Sequence, residues 1–151
     1  MTDQPPDQPR LLIPALGTIY RGLAPITEPL IRVIAGLSLA AHGWPKLFGN
    51  TEAIAGFFER AGFAPGLFWA VAVGITEFAG GLCLALGLLT RAVAVPILIF
   101  LLTAVTYHWQ FGFYWDIRGF EYPLFWSAVV LHFQLRGGGA WSIDARLGRE
   151  L

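Results

Sequence analysis

The sequence predicts an all-α membrane protein, a bundle of four transmembrane helices with both termini in the cytoplasm. Three observations predict it. Of 151 residues, 56% are hydrophobic and only 13% are charged, about half the roughly 25% charge that coats a soluble domain. The charges leave long gaps: Glu77 alone lies between Arg60 and Arg91, and none lies between Arg32 and Lys46, Arg91 and Asp116, or Glu121 and Arg136. The basic residues also divide unequally between the two sides that four crossings define. A soluble single domain is excluded by this composition, and so is a disordered chain, whose signature is low hydrophobicity with high net charge. Ten basic residues balance ten acidic ones, which argues against a nucleic-acid partner. A lone Cys83 removes any disulfide framework, CxxC redox pair or cysteine-rich zinc site.

The elements follow in chain order. Residues 1–10 are polar and proline-rich, a disordered tail rather than a signal peptide. Residues 11–20 are apolar but too few to cross, so 1–20 reads as a disordered and interfacial N-terminal tail. A crossing takes about 20 residues, roughly 30 Å of hydrocarbon at about 1.5 Å per residue. Within a transmembrane domain over 21–137, the gaps predict spans at about 26–48, 66–88, 91–112 and 120–137. Pro29 and Pro96 start or kink their helices, Pro45 ends the first, and Pro123 fits the first turn of the fourth. The fourth segment is short and runs on toward the Gly137-Gly138-Gly139 stop. Gly36 with Ala40, and Gly81 with Ala85, form small-xxx-small pairs that favour close helix contact. Residues 138–151 form a C-terminal interfacial tail, with Ser142 capping a short amphipathic helix. These runs do not alternate as a lipid-facing barrel must, and no repeat or second domain is visible.

Orientation comes from the basic residues near the span ends. Arg10, Arg21, Arg32, Arg91, Arg136, Arg146 and Arg149 fall on the side of the termini, against Lys46, Arg60 and Arg118 on the other. That bias puts the termini in the cytoplasm. Trp44, Trp69, Trp109 and Trp115 then belong to the outer interface and Trp141 to the inner one. The Arg32 guanidinium is expected to snorkel to the inner headgroups.

Charged groups inside a bilayer need a reason, at about 2.5–3.5 kcal/mol or more each at its centre. Glu77 falls midway along the second span, among the small residues Gly74, Ala79, Gly80 and Gly81. It reads either as a proton relay or ligand to a bound group, or as a carboxyl held neutral by burial and used in packing. His42 lies four residues before Lys46, on the same helical face. His108 lies late in the third span and Glu121 opens the fourth. Helices one and three run outward, two and four inward. His42, His108 and Glu121 therefore collect at the external end, above Glu77, as a site or as interfacial groups satisfied by water and headgroups. A quinone site would use a His and a carboxylate on the ring oxygens beside an apolar cleft. A bis-His haem on His42 and His108, or a metal on His and Glu, stays open, though no His-x-x-x-His or Glu-x-x-His spacing supports the metal. His132 reads as a packing or interface residue at the inner end.

In order along the chain, AHGWPKLFG (41–49), TEFAGGLCLALGLLTRAVA (76–94), HWQFGF (108–113), GFEYPLFW (119–126) and GGGAWSIDA (137–145) resemble the DoxX family of small bacterial membrane proteins. The resemblance covers about residues 26–145 and implies a four-helix protein of the bacterial cytoplasmic (inner) membrane. It implies a subunit of an oxidoreductase system near the quinone pool and the respiratory chain, or alternatively a non-catalytic membrane anchor or assembly subunit for a larger redox complex. The residues carried across by motif are His42, Lys46, Glu77, His108 and Glu121. The implied cofactor is a quinone, and the implied partners are the lipid bilayer, a redox protein and a second copy of the chain. With one cysteine and no cofactor-binding motif, the chain cannot run thiol exchange alone.

Overall fold

A computed structural model describes residues 11–149. The tail expected over residues 1–10, with Arg10, lies outside the described residues. Six α-helices follow one another: α1 (Leu16–Phe48), α2 (Thr51–Arg60), α3 (Gly66–Leu86), α4 (Thr90–His108), α5 (Glu121–Arg136) and α6 (Ile143–Leu147). Single 3-10 turns at Trp109–Phe111 and Trp115–Ile117 lie between α4 and α5. No strand occurs among the described residues.

Among the described residues, three helices are long and apolar enough to cross a membrane: α1, α3, and α4 with the 3-10 turn that extends it to Phe111. The fourth expected span, α5, has 16 residues, roughly 24 Å. It stops at Arg136, where Gly137 turns to φ 78°, and does not continue through the triple glycine. At the other extreme α1 runs for 33 residues, roughly 50 Å. The helix begins at Leu16, so the second half of the segment expected to lie apart at 11–20 is its first turns. Pro45 does not end it; one further turn reaches Phe48, where the Gly49 N–H bonds the Pro45 carbonyl at 3.2 Å.

α1 and α3 form the tightest seam. A Cβ on Gly36 would strike the main chain of Gly81 and Ala85, and one on Gly81 would strike the main chain of Gly36 and Ala40. The two small-residue pairs of the sequence are therefore each other's partners, and the missing side chains let the backbones touch. α4 packs on α3 and on α5, and α5 meets α1 only lightly.

The core sits in one half of this bundle. Ala35 and Leu39, Leu84, Ala94, Ile97 and Leu101, and Val130 and Phe133 form one buried cluster, toward the end where α3 turns into α4 over Gly87–Leu89. We call this the corner end. The opposite, loop end holds α2, the two 3-10 turns and the exposed Trp44, Trp69, Trp109 and Trp115. Leu30, Ile34, Leu37, Ile75, Leu86 and Leu102 are also exposed, an apolar girdle that belongs in hydrocarbon rather than water.

Candidate functional site

The α1–α3 seam sets up an ion pair. Glu77 is 4% exposed on the α3 face that α1 covers. Lys46 starts from the last turn of α1, and helical side chains lean back toward their helix N-terminus. The lysine thus reaches inward rather than out to the interface. Its Nζ stands 2.5 Å from Glu77 Oε2 and donates to the His42 carbonyl oxygen at 2.8 Å. The ammonium carries three N–H donors and faces two protein oxygens, leaving one donor for a ligand.

Lys46 also borders a cavity of about 380 Å³, within the 300–1,000 Å³ range of small-molecule sites. α3 contributes Trp69, Ala72, Val73 and Thr76, α4 contributes residues from Pro96 to His108, and Phe57 and Phe58 of α2 cover it. Most of this lining is apolar. The Thr76 and Thr103 hydroxyls donate to carbonyls of their own helices, Ala72 at 2.9 Å and Ile99 at 2.9 Å. The remaining polar groups stand near the loop end: Lys46, Tyr107 and His108.

Of the five residues singled out from sequence, Lys46 and His108 line this cleft, and Glu77 lies behind it as the partner of Lys46. His108 Nδ1 lies 2.5 Å from the Arg118 carbonyl oxygen. His42 contributes its main-chain carbonyl to Lys46, while its ring lies against Tyr122 with centroids 6.2 Å apart, outside the cleft lining. Glu121 accepts the Trp115 N–H at 3.1 Å and borders a separate hollow of about 470 Å³ with Phe113, Tyr122 and Phe125. His132 pairs with Glu28 at 3.3 Å on the surface. No group of three or more His, Cys, Asp or Glu able to hold a metal occurs among the described residues. The α2 cover was not visible as a helix in the sequence reading, although Asn50, whose side chain accepts the Ala53 N–H at 3.2 Å, is a readable start signal.

A second polar cluster, at the corner end, corrects one expectation. Arg32 does not reach the headgroups: it is 2% exposed, with its terminal nitrogens donating to the carbonyl oxygens of Gly138 and of Trp141, the latter at 2.8 Å. The Gly137–Gly139 turn folds back over the corner and brings these carbonyls to it. Asp144, 3% exposed, accepts the Leu89 N–H at 2.7 Å, the Thr90 N–H at 2.8 Å and the Thr90 hydroxyl at 2.7 Å. It thereby satisfies first-turn donors of α4 that have no partner inside the helix. Burial raises the Asp144 pKa, but the hydrogen bonds from Thr90 and Leu89 and the nearby Arg32 charge outweigh it and hold the carboxyl below its ordinary value. Gly87, at φ 66°, has no room for a side chain between Arg32 and Ser142.

A helical protein with three membrane-length apolar helices, a buried Lys–Glu pair and an aromatic cleft belongs to the class of small polytopic membrane proteins. The profile of the DoxX family matches residues 29–109. The chain is also 30% identical over 131 residues to an uncharacterised membrane protein of Mycobacterium tuberculosis, covering 80% of each sequence. The chain belongs to the DoxX family. No solved structure matches it.

Proposed function

We propose that this protein is an integral inner-membrane subunit of an oxidoreductase system and binds a quinone headgroup at the loop-end cleft. α5 completes a four-span bundle, both termini are cytoplasmic, and the cleft opens in the outer half of the membrane. The observation that carries this reading is the join between an apolar, aromatic cavity and a few polar groups at one end, Lys46 with its spare donor and His108. A quinone, when bound, accepts two electrons and two protons. Lys46 donates a hydrogen bond to a ring oxygen. Glu77 keeps the lysine charge compensated and its position fixed. His108, which also lines the cleft, would meet the second ring oxygen and hydrogen-bond it when that oxygen carries a hydrogen. The electrons come from a redox partner docked on the membrane, since the chain carries no redox-active pair of its own.

Titration of the purified protein with a short-chain quinone, followed by quenching of Trp69 on the cleft wall, tests the reading. Saturable binding is expected, absent in Trp69→Phe as a signal and about 10-fold weaker or more in Lys46→Met, the loss of a hydrogen bond from a charged donor. Absence of saturable binding, or affinity unchanged by Lys46→Met, overturns the site and leaves the non-catalytic anchor as the better reading. A redox partner that co-purifies equally with wild type and Lys46→Met would then support anchoring.

A further inference from the structure

Resting on the quinone reading, the fixed chemistry of His108 goes one step further. A backbone carbonyl can only accept, so the 2.5 Å contact between His108 Nδ1 and the Arg118 oxygen requires the hydrogen on Nδ1. The neutral imidazole then presents Nε2 as an acceptor. The carbonyl that imposes this is itself held. Arg118 adopts a left-handed conformation at φ 67°, its N–H bonds the Trp115 carbonyl at 3.0 Å, and its guanidinium stands 4.8 Å over the Phe111 ring. Bonds from Gly119 N–H to Tyr114 at 2.8 Å and from Phe120 N–H to Gly112 at 3.1 Å tie the loop together.

Lys46 and His108 both line the cleft, so with Nδ1 taken by the Arg118 carbonyl its polar groups are asymmetric: Lys46 donates and a neutral His108 accepts through Nε2. An oxidised quinone offers two carbonyl acceptors, so one of them would face the His108 lone pair. A quinol offers hydroxyls, each able to donate and accept. One hydroxyl oxygen accepts a hydrogen bond from Lys46 and the other hydroxyl donates to Nε2. Tyr107, whose hydroxyl does both, favours neither form. We infer that the cleft selects the reduced, hydroxyl-bearing form of its ligand over the oxidised dicarbonyl form, with His108 as the discriminating acceptor. Only binding is involved, and no bond is made or broken.

Anaerobic calorimetric titrations of the full-length protein with a decyl-substituted benzoquinol and with the matching benzoquinone test this without any variant. The expected result is a Kd for the quinol about 10-fold lower, the worth of one hydrogen bond gained against a repulsive contact. His108→Phe should bring the two values together by weakening the quinol and relieving the repulsion against the quinone, and His108→Gln, whose amide both donates and accepts, should reduce the gap without abolishing binding. Equal affinities in the wild type, or tighter quinone, would overturn the selection while the quinone reading stands. If neither form binds, the quinone reading itself fails, and the selection with it.

Discussion

Two charged clusters of this molecule invite comparison, because α1 supplies a cation to each. At the corner end Arg32 is buried among main-chain carbonyls, and Asp144 nearby holds the first turn of α4. At the loop end Lys46 faces Glu77 directly and still borders an open cavity. Around the first lies the packed core of Leu84, Ile97, Val130 and Phe133. Around the second, α3 and α4 leave room. A polar network taken up by the chain itself, as the Asp144 carboxylate and the terminal nitrogens of Arg32 are, though not the buried Arg32 Nε, fixes architecture. A network with capacity to spare beside a cavity is equipped for a ligand. The family motifs contain both kinds, so membership in a motif does not by itself separate them.

The contrast is sharpest in what each cluster should lose on mutation. Asp144→Ala removes three accepted hydrogen bonds and the anion nearest a buried guanidinium. Thermal unfolding in detergent should show a loss of about 3–5 kcal/mol, from three hydrogen bonds to a charged acceptor whose donors are left unpaired, with little effect on quinone affinity beyond that of unfolding. A stable Asp144→Ala protein would mean the corner cluster is not structural. Gly36→Leu should come next, at about 1–3 kcal/mol from overpacking. Gly36 lies between Arg32 and Lys46 on the seam, so this change alone should lower both the unfolding temperature and ligand affinity.

Glu77→Gln should be milder for stability, about 1 kcal/mol, because a neutral hydrogen bond remains possible and Lys46 keeps the His42 carbonyl. Its larger effect should appear in the quinone titration, where a lysine no longer held in place binds more weakly. Equal losses of stability in Glu77→Gln and Asp144→Ala would erase the distinction between the two ends. The smallest effect concerns pH. A depressed carboxyl contributes stability that is present above its unfolded pKa and lost as pH falls through the lower folded value. The gap in unfolding temperature between wild type and Asp144→Asn should thus hold steady from neutral pH down to the ordinary aspartate value of 3.8, then narrow. A gap that narrows well above that value would assign the acid sensitivity to another group.

Much of the scaffold was legible because hydropathy and small-residue spacing are local signals. The spans over 66–88 and 91–112 correspond to α3 and to α4 with its 3-10 extension, and Gly36, Ala40, Gly81 and Ala85 meet across one seam. Length was less legible: α1 begins before its expected start, because Pro25 and Pro29 are carried inside a helix that they do not terminate. Side-chain reach was harder still. Lys46 and Glu77 were both conspicuous, but their contact depends on the lysine leaning back along α1, which no spacing rule displays. The Arg32 and Asp144 contacts bridge 109 and 54 residues respectively. Arg32 fitted snorkelling equally well until the triple glycine was seen to fold the chain back over the corner. The cleft itself is walled by α2, α3 and α4 together, a tertiary property.

The corner has a consequence for how the protein is made. The oxygens that receive the Leu89 and Thr90 amides sit on Asp144, 55 and 54 positions later, beyond all the long helices. When α4 first enters the bilayer, its leading turn has no such acceptor and must lean on water or lipid phosphate. The hairpin of α3 and α4 is finished only once α5 has been made and the chain beyond it has swung back. A stop codon just after α5 would therefore leave every long helix in place and still deny the bundle its final fastening.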